Sequence, residues 1–169
     1  MEKAAQVHPF PPLYDEASRV LILGSFPSIK SREQRFFYGH PQNRFWRVLS
    51  ALFGEDVPTT IEEKTALILR RHLALWDTIA SCEITGSSDA SITSVVANDL
   101  RLILDGAEIR AIFCNGATSL KWYNKLLRDG LGREAALLPS TSPANAQWTL
   151  PRLTEAWGAA ILPYLEQHT

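Results

Sequence analysis

Cysteine is scarce in this chain: Cys82 and Cys114 are the only two in 169 residues. That excludes a disulfide framework and a multi-cysteine zinc site. Long apolar runs are missing too; none approaches the roughly 18–20 residues of an ordinary membrane span. The opening stretch, residues 1–12, lacks the apolar centre of a secretory leader, so none is expected. Neither sign of charge dominates. Lys plus Arg total 17 and Asp plus Glu 18, a net charge of −1. Bulk electrostatics therefore selects no charged partner, and any basic site must be local. The four histidines, His8, His40, His72 and His168, show no metal-ligand spacing. Gly-x-x-x-x-Gly-Lys-Ser/Thr and Gly-x-Gly-x-x-Gly are both absent, which argues against phosphate-loop and dinucleotide chemistry. The missing Gly-x-Ser-x-Gly weakens a serine-hydrolase reading. No metal and no cofactor are expected. What is present is an ordinary core: 46% of residues are hydrophobic, which excludes disorder, and the length suits one domain over 1–169. A cytoplasmic enzyme or binding domain is the expectation.

Residues 1–18 read as an extended entry arm, because His8-Pro9-Phe10-Pro11-Pro12 has too few amide donors for a helix. Val20–Leu23 is a short apolar run suited to a strand buried on both faces, and Leu73–Trp76, Arg110–Cys114 and Ala135–Leu138 are three further candidate strands. Between them, residues 25–42 read as a long loop. Helical spacing predicts a helix over Asn43–Phe53 and another reaching about Arg71. The second has two overlapping capping boxes in Thr59-Thr60-Ile61-Glu62-Glu63. Residues 81–93 read as a polar loop. A helix is predicted from about Ser94, with Val96, Leu100, Ile103 and Leu104 as its apolar stripe. Further helices are predicted through Leu120, Tyr123 and Leu127, and from about Thr149 through Tyr164. Strands alternating with helices predict an α/β fold: a four-stranded parallel sheet between two helical layers, α/β/α. Ligands of such sheets bind beyond the carboxyl ends of the strands. Those ends are Gly24–Ser28, Asp77, Asn115-Gly116 and Pro139–Ser142, so all four should share one rim.

The richest chemistry lies between Ser25 and Arg47. Lys30, Arg32, Arg35, Arg44 and Arg47 face only Glu33 there, a balance of 5 − 1 = +4, with Phe36, Phe37, Tyr38, Phe45 and Trp46 among them. Cations attract phosphates and aromatic faces stack on bases; the plain alternative is a solvated basic surface beside core aromatics. Gly24 allows close backbone approach and Ser25 and Ser28 offer hydroxyls, or the segment is a simple turn. Asn43 is either the cap of the following helix or an amide that reads a base or holds a water. Asn115 is either a base-reading amide or a turn residue. Asp77 and Asp89 are candidate water activators; capping and solvated roles compete.

Three separated segments, GSFPS, FFYGHPQNRFW and LPSTSPAN, resemble the uracil-DNA glycosylase superfamily. LALWDTIASCEITGSSDASI between them is similar to its hypoxanthine-DNA glycosylase branch. The resemblance implies the four-stranded α/β/α fold, base flipping, DNA containing deaminated bases as partner, and a monomer. It implies hydrolysis of the N-glycosidic bond of deoxyinosine. A uracil or xanthine glycosylase, or a binding module without catalysis, are the alternatives. One departure matters: Phe26 precedes Pro27, where mismatch-specific relatives carry Asn. The resemblance assigns Asn43, Ser25 and Asn115 to catalysis. It assigns Gly24, Phe26, Pro27, Ser28, His40 and Phe45 to the base pocket. Lys30, Arg32, Arg44, Arg47 and the loop Ser140, Thr141, Ser142, Pro143, Ala144 and Asn145 are assigned to DNA, with Ala144-Asn145 filling the space a flipped base vacates.

Overall fold

The computed structural model describes residues 2–165. In chain order its elements are β1 (Lys3–Val7), β2 (Val20–Gly24), α1 (Ile29–Gln34), α2 (Phe45–Phe53), α3 (Ile61–Arg70), β3 (Leu73–Asp77), β4 (Ile79–Thr85), β5 (Thr93–Ala97), α4 (Arg101–Leu104), β6 (Ala111–Asn115), α5 (Ala117–Leu126), α6 (Arg128–Leu131), β7 (Ala136–Leu138) and α7 (Leu150–Leu165). Four strands form a parallel sheet in the order β3-β2-β6-β7. Val20 to Leu23 have no exposure at all, which fixes β2 as a central strand. Val20 and Ile22 enter one core with Phe45 and Leu49 of α2, Leu67 of α3 and Trp157 of α7. Leu21 and Leu23 enter the opposite core with Ile103 of α4 and Tyr123 of α5. At about 1.5–3 kcal/mol per large buried apolar side chain, this two-sided burial holds the three layers together. Of the two capping registers before α3, Thr60 with Glu63 is the one that forms a reciprocal box.

The chain also builds a second sheet that its sequence concealed. β1, β4 and β5 pair antiparallel in the order β1-β4-β5. The arm therefore begins as a strand. The stretch read as a polar loop contains β4, whose Ile79, Cys82 and Ile84 are buried while Glu83 faces water. The helix expected from Ser94 is instead strand β5, with Val96 exposed and Ser94 at φ 56°; only Arg101–Leu104 is helical. Shifts in the β4–β5 register break the alternation that marks a half-buried strand, and this hid β5. Similarly, α1 lies within the expected loop. Tyr164, near the end of the last predicted helix, is exposed. Among the described residues, no helix is long and apolar enough to cross a membrane.

Candidate active site

The four strand ends do share one rim. They surround a cavity of about 490 Å³ lined by Gly24–Ser28, Tyr38, His40, Asn43, Asp77, residues 87–90, Asn115 and Ser140–Ala144. Its floor is Gly24. A Cβ there would lie 2.3 Å from Asp77 Oδ1 and 3.2 Å from the Tyr38 hydroxyl, so only glycine lets both groups converge. Asp77 ends β3 in register with Gly24 and is 4% exposed. Its Oδ2 is held at 2.7 Å by His8 Nε2.

Two aromatic rings form walls. Phe26 is buried, with the Arg32 guanidinium 5.5 Å from its centroid. Tyr38 stacks on Phe45 at 3.9 Å and 17°, and its backbone is left-handed at φ 52°. Such a conformation is costly for a bulky residue and marks a place where surrounding structure dictates the backbone. The Tyr38 hydroxyl is buried without a hydrogen-bond partner among the described residues. Burial first, and then the Asp77 charge, push its pKa far above the usual phenol value, so it keeps its proton. In the sequence Tyr38 stands out only as one aromatic of the basic segment, without a role of its own.

Asn43 Oδ1 accepts the Phe45 backbone N–H at 2.9 Å, fastening the start of α2. That bond turns Oδ1 toward the backbone of α2, and Asn43 lines the cavity beside it. The helix-start alternative for this residue is therefore present in the structure. Asn115 is committed at both ends: Nδ2 donates to Thr141 Oγ1 at 3.0 Å and Oδ1 accepts Thr141 N–H at 3.1 Å. Ser25 donates to Asp89 Oδ1 at 2.9 Å, while Ser28 caps α1 through the Ser31 N–H. Asp89 is exposed as a residue, but its carboxyl turns in toward Ser25 at the cavity mouth. Crowding by protein raises its pKa above the usual carboxylate range, the Asp77 charge adds to this, and the Ser25 hydrogen bond opposes it.

Several assignments need correction. Phe45 is fully buried behind Tyr38 and does not line the cavity, because the helical stripe of α2 carries it into the core. Arg44 is an internal clamp: it donates to the carbonyls of Trp148, Ser142 and Asn145, the last two at 3.0 Å. Arg32 likewise donates to the carbonyls of Pro27 at 2.9 Å and Gly86 at 3.0 Å. Both guanidiniums are occupied by main-chain oxygens instead of standing free for phosphates. Lys30 and Arg47 remain exposed. Thr141 is fully buried, and Asn145 folds back to donate to the Ser140 carbonyl, leaving Pro143 and Ala144 as the exposed tip of the loop. Asn145 is thus unavailable as a space-filling wedge.

The model of the uracil DNA glycosylase superfamily matches residues 11–166. The chain belongs to that superfamily. It is 33% identical over 154 residues to a protein of Methanosarcina barkeri named hypoxanthine DNA glycosylase, covering 90% of this chain and 96% of the relative. A protein of the same name from Methanosarcina acetivorans is 34% identical over 153 residues, with the same coverage. The fold is similar to the solution NMR structure of a candidate uracil DNA glycosylase from Methanosarcina acetivorans. There the TM-score is 0.78 and the identity 34%, covering 94% of this chain and 97% of the other.

Proposed function

We propose that the chain is a monofunctional DNA glycosylase that releases hypoxanthine from deoxyinosine. One observation carries this reading: the same cavity is lined by Asp77, whose Oδ1 lies over Gly24, and by Asn43, whose Oδ1 is held by the Phe45 N–H, so that we assign Asp77 Oδ1 as acceptor and Asn43 Nδ2 as donor. Deamination of adenine converts the N1 acceptor into an N1–H donor and the 6-amino donor into a carbonyl. Asp77 accepts from N1–H, whereas adenine would set a bare nitrogen lone pair against a carboxylate. The names of the Methanosarcina relatives support the same base.

A purine inside a duplex cannot reach this cavity, so its nucleotide rotates out of the stack, at lower cost from a mispair. Phe26 and Tyr38 offer the stacking surfaces. The base enters first, which leaves the sugar at the mouth beside Asp89. There a carboxylate of raised pKa is the better base for drawing a proton from water as its oxygen attacks C1′. The bond from C1′ to N9 breaks and its electron pair leaves with the purine. Recognition and departure make opposite demands. Asp77 reads identity, while the donor at Asn43 offsets the negative charge that leaves with the base.

We take one chain as the working unit. Two buried free thiols suit a reducing, cytoplasmic setting. The exposed cations Lys30 and Arg47, close in sequence to the lining residues Ser28 and Asn43, are assigned to the DNA backbone. Neutral substitutions of Lys30 or Arg47 should each lower the salt slope of DNA affinity by roughly 0.7–0.9. Arg44→Ala should instead lower thermal stability by freeing three loop carbonyls, with little change in slope. Unchanged slopes for both Lys30 and Arg47 would move the DNA track elsewhere. The reading as a whole is tested by an excision panel. Duplexes carrying inosine, uracil, xanthine or adenine at one position are incubated and then cleaved with alkali. Strand scission is expected foremost at inosine; no scission on any duplex would leave a binding module.

A further inference from the structure

Asp77 can read a base edge only if one of its oxygens is kept turned to the cavity. The group that does this comes from 69 positions away in sequence. His8 follows β1, whose pairing with β4 runs through Val7 to Ser81, and the His8 N–H extends it by donating to the Ala80 carbonyl at 2.7 Å. The His8 side chain is 4% exposed and that of Asp77 6%. Aromatic rings enclose the imidazole, with Phe10 at 4.5 Å, Phe26 at 6.1 Å and Trp76 at 6.4 Å between centroids. Its Nδ1 accepts the Phe10 backbone N–H at 3.5 Å. With Nδ1 facing the Phe10 N–H, Nε2–H is assigned as the donor to Asp77 Oδ2. This bond ties up Oδ2 and leaves Oδ1 over Gly24.

We infer that His8 is a specificity-determining positioning residue: it fixes the Asp77 carboxyl so that Oδ1 meets the N1–H of a deaminated purine, which makes the N-terminal strand part of base selection. The inference rests on the reading of Asp77 given above. A freely turning carboxyl would lose the geometry on which hydrogen-bond discrimination depends, since such bonds weaken steeply off-axis.

The experiment compares single-turnover excision of deoxyinosine and of deoxynebularine, whose purine has a bare N1. Full-length wild type, His8→Gln, His8→Asn, Asp77→Ala and the His8→Asn/Asp77→Ala double variant are assayed, each with a thermal melt. Gln carries an N–H where His carries Nε2, whereas Asn reaches only the Nδ1 position. His8→Gln should keep the deoxyinosine preference within about threefold, and His8→Asn should lose about tenfold of it, as expected for one misplaced hydrogen bond. In the Asp77→Ala background, His8→Asn should change the preference no further, because its effect runs through Asp77. Equal preference for His8→Gln and His8→Asn overturns the inference. So does an undiminished effect of His8→Asn without Asp77, or unfolding of His8→Asn at assay temperature, since either makes His8 a fold support. If Asp77→Ala alone keeps the full preference, the reading of Asp77 itself fails, a result separable from failure at His8.

Discussion

Asn43→Ala lowers the single-turnover rate of deoxyinosine excision by about 10²–10³, the cost of removing one preorganised donor, or roughly 2.7–4 kcal/mol. The same substitution removes the Oδ1 bond to the Phe45 N–H at the start of α2, which costs about 1 kcal/mol of stability. Thermal unfolding on the assayed protein separates the two effects, and a near-normal rate would remove Asn43 from catalysis. Asn43→Asp is the sharper variant. Aspartate still accepts the Phe45 N–H, and its negative charge suits a helix N-terminus, so the fold should be at least as stable. It has no N–H to offer the purine. Excision should therefore fall about as far as in Asn43→Ala. Retained activity would mean that the residue accepts from water, contrary to the donor role assigned to its Nδ2 above.

Asp77→Ala should reduce kcat/KM for deoxyinosine by about 10–150-fold, corresponding to loss of one charge-assisted hydrogen bond worth about 1.5–3 kcal/mol. Deoxynebularine, without N1–H, should be affected far less, so the preference for deoxyinosine collapses while the cavity persists. Equal loss on both substrates would assign Asp77 to the architecture of the floor instead of to base reading. His8 is left without its partner in this variant, so the comparison is made below the measured melting transition.

The central sheet was legible because its strands are apolar on both faces; Val20–Leu23 cannot be placed anywhere but inside. The shared rim followed from that topology: Gly24–Ser28, Asp77, Asn115 and Ser140–Ser142 line it as the strand ends predict, whereas Asn43 reaches it from the start of α2. The second sheet was not legible. Ser81, Glu83 and Thr85 give β4 a loop-like composition, and their strand character comes from pairing with β1 nearly eighty positions earlier. Charge was misread for a related reason. Sequence shows that Arg44 and Arg32 are cations, yet their destinations are carbonyls up to 104 and 54 residues away. Asn115 looked like a base reader until Thr141 claimed both ends of its amide. Tyr38 and the His8–Asp77 pair depend on contacts that no local pattern encodes.

Direct detection of the released base tests the central claim. The enzyme is incubated with a duplex holding a single deoxyinosine, and the small-molecule fraction is resolved by mass. Free hypoxanthine should appear in step with abasic sites, with the strand intact until alkali is added, and a matched deoxyadenosine duplex should release no adenine. Tight binding of the deoxyinosine duplex with no free hypoxanthine, or equal release of adenine, would contradict the account.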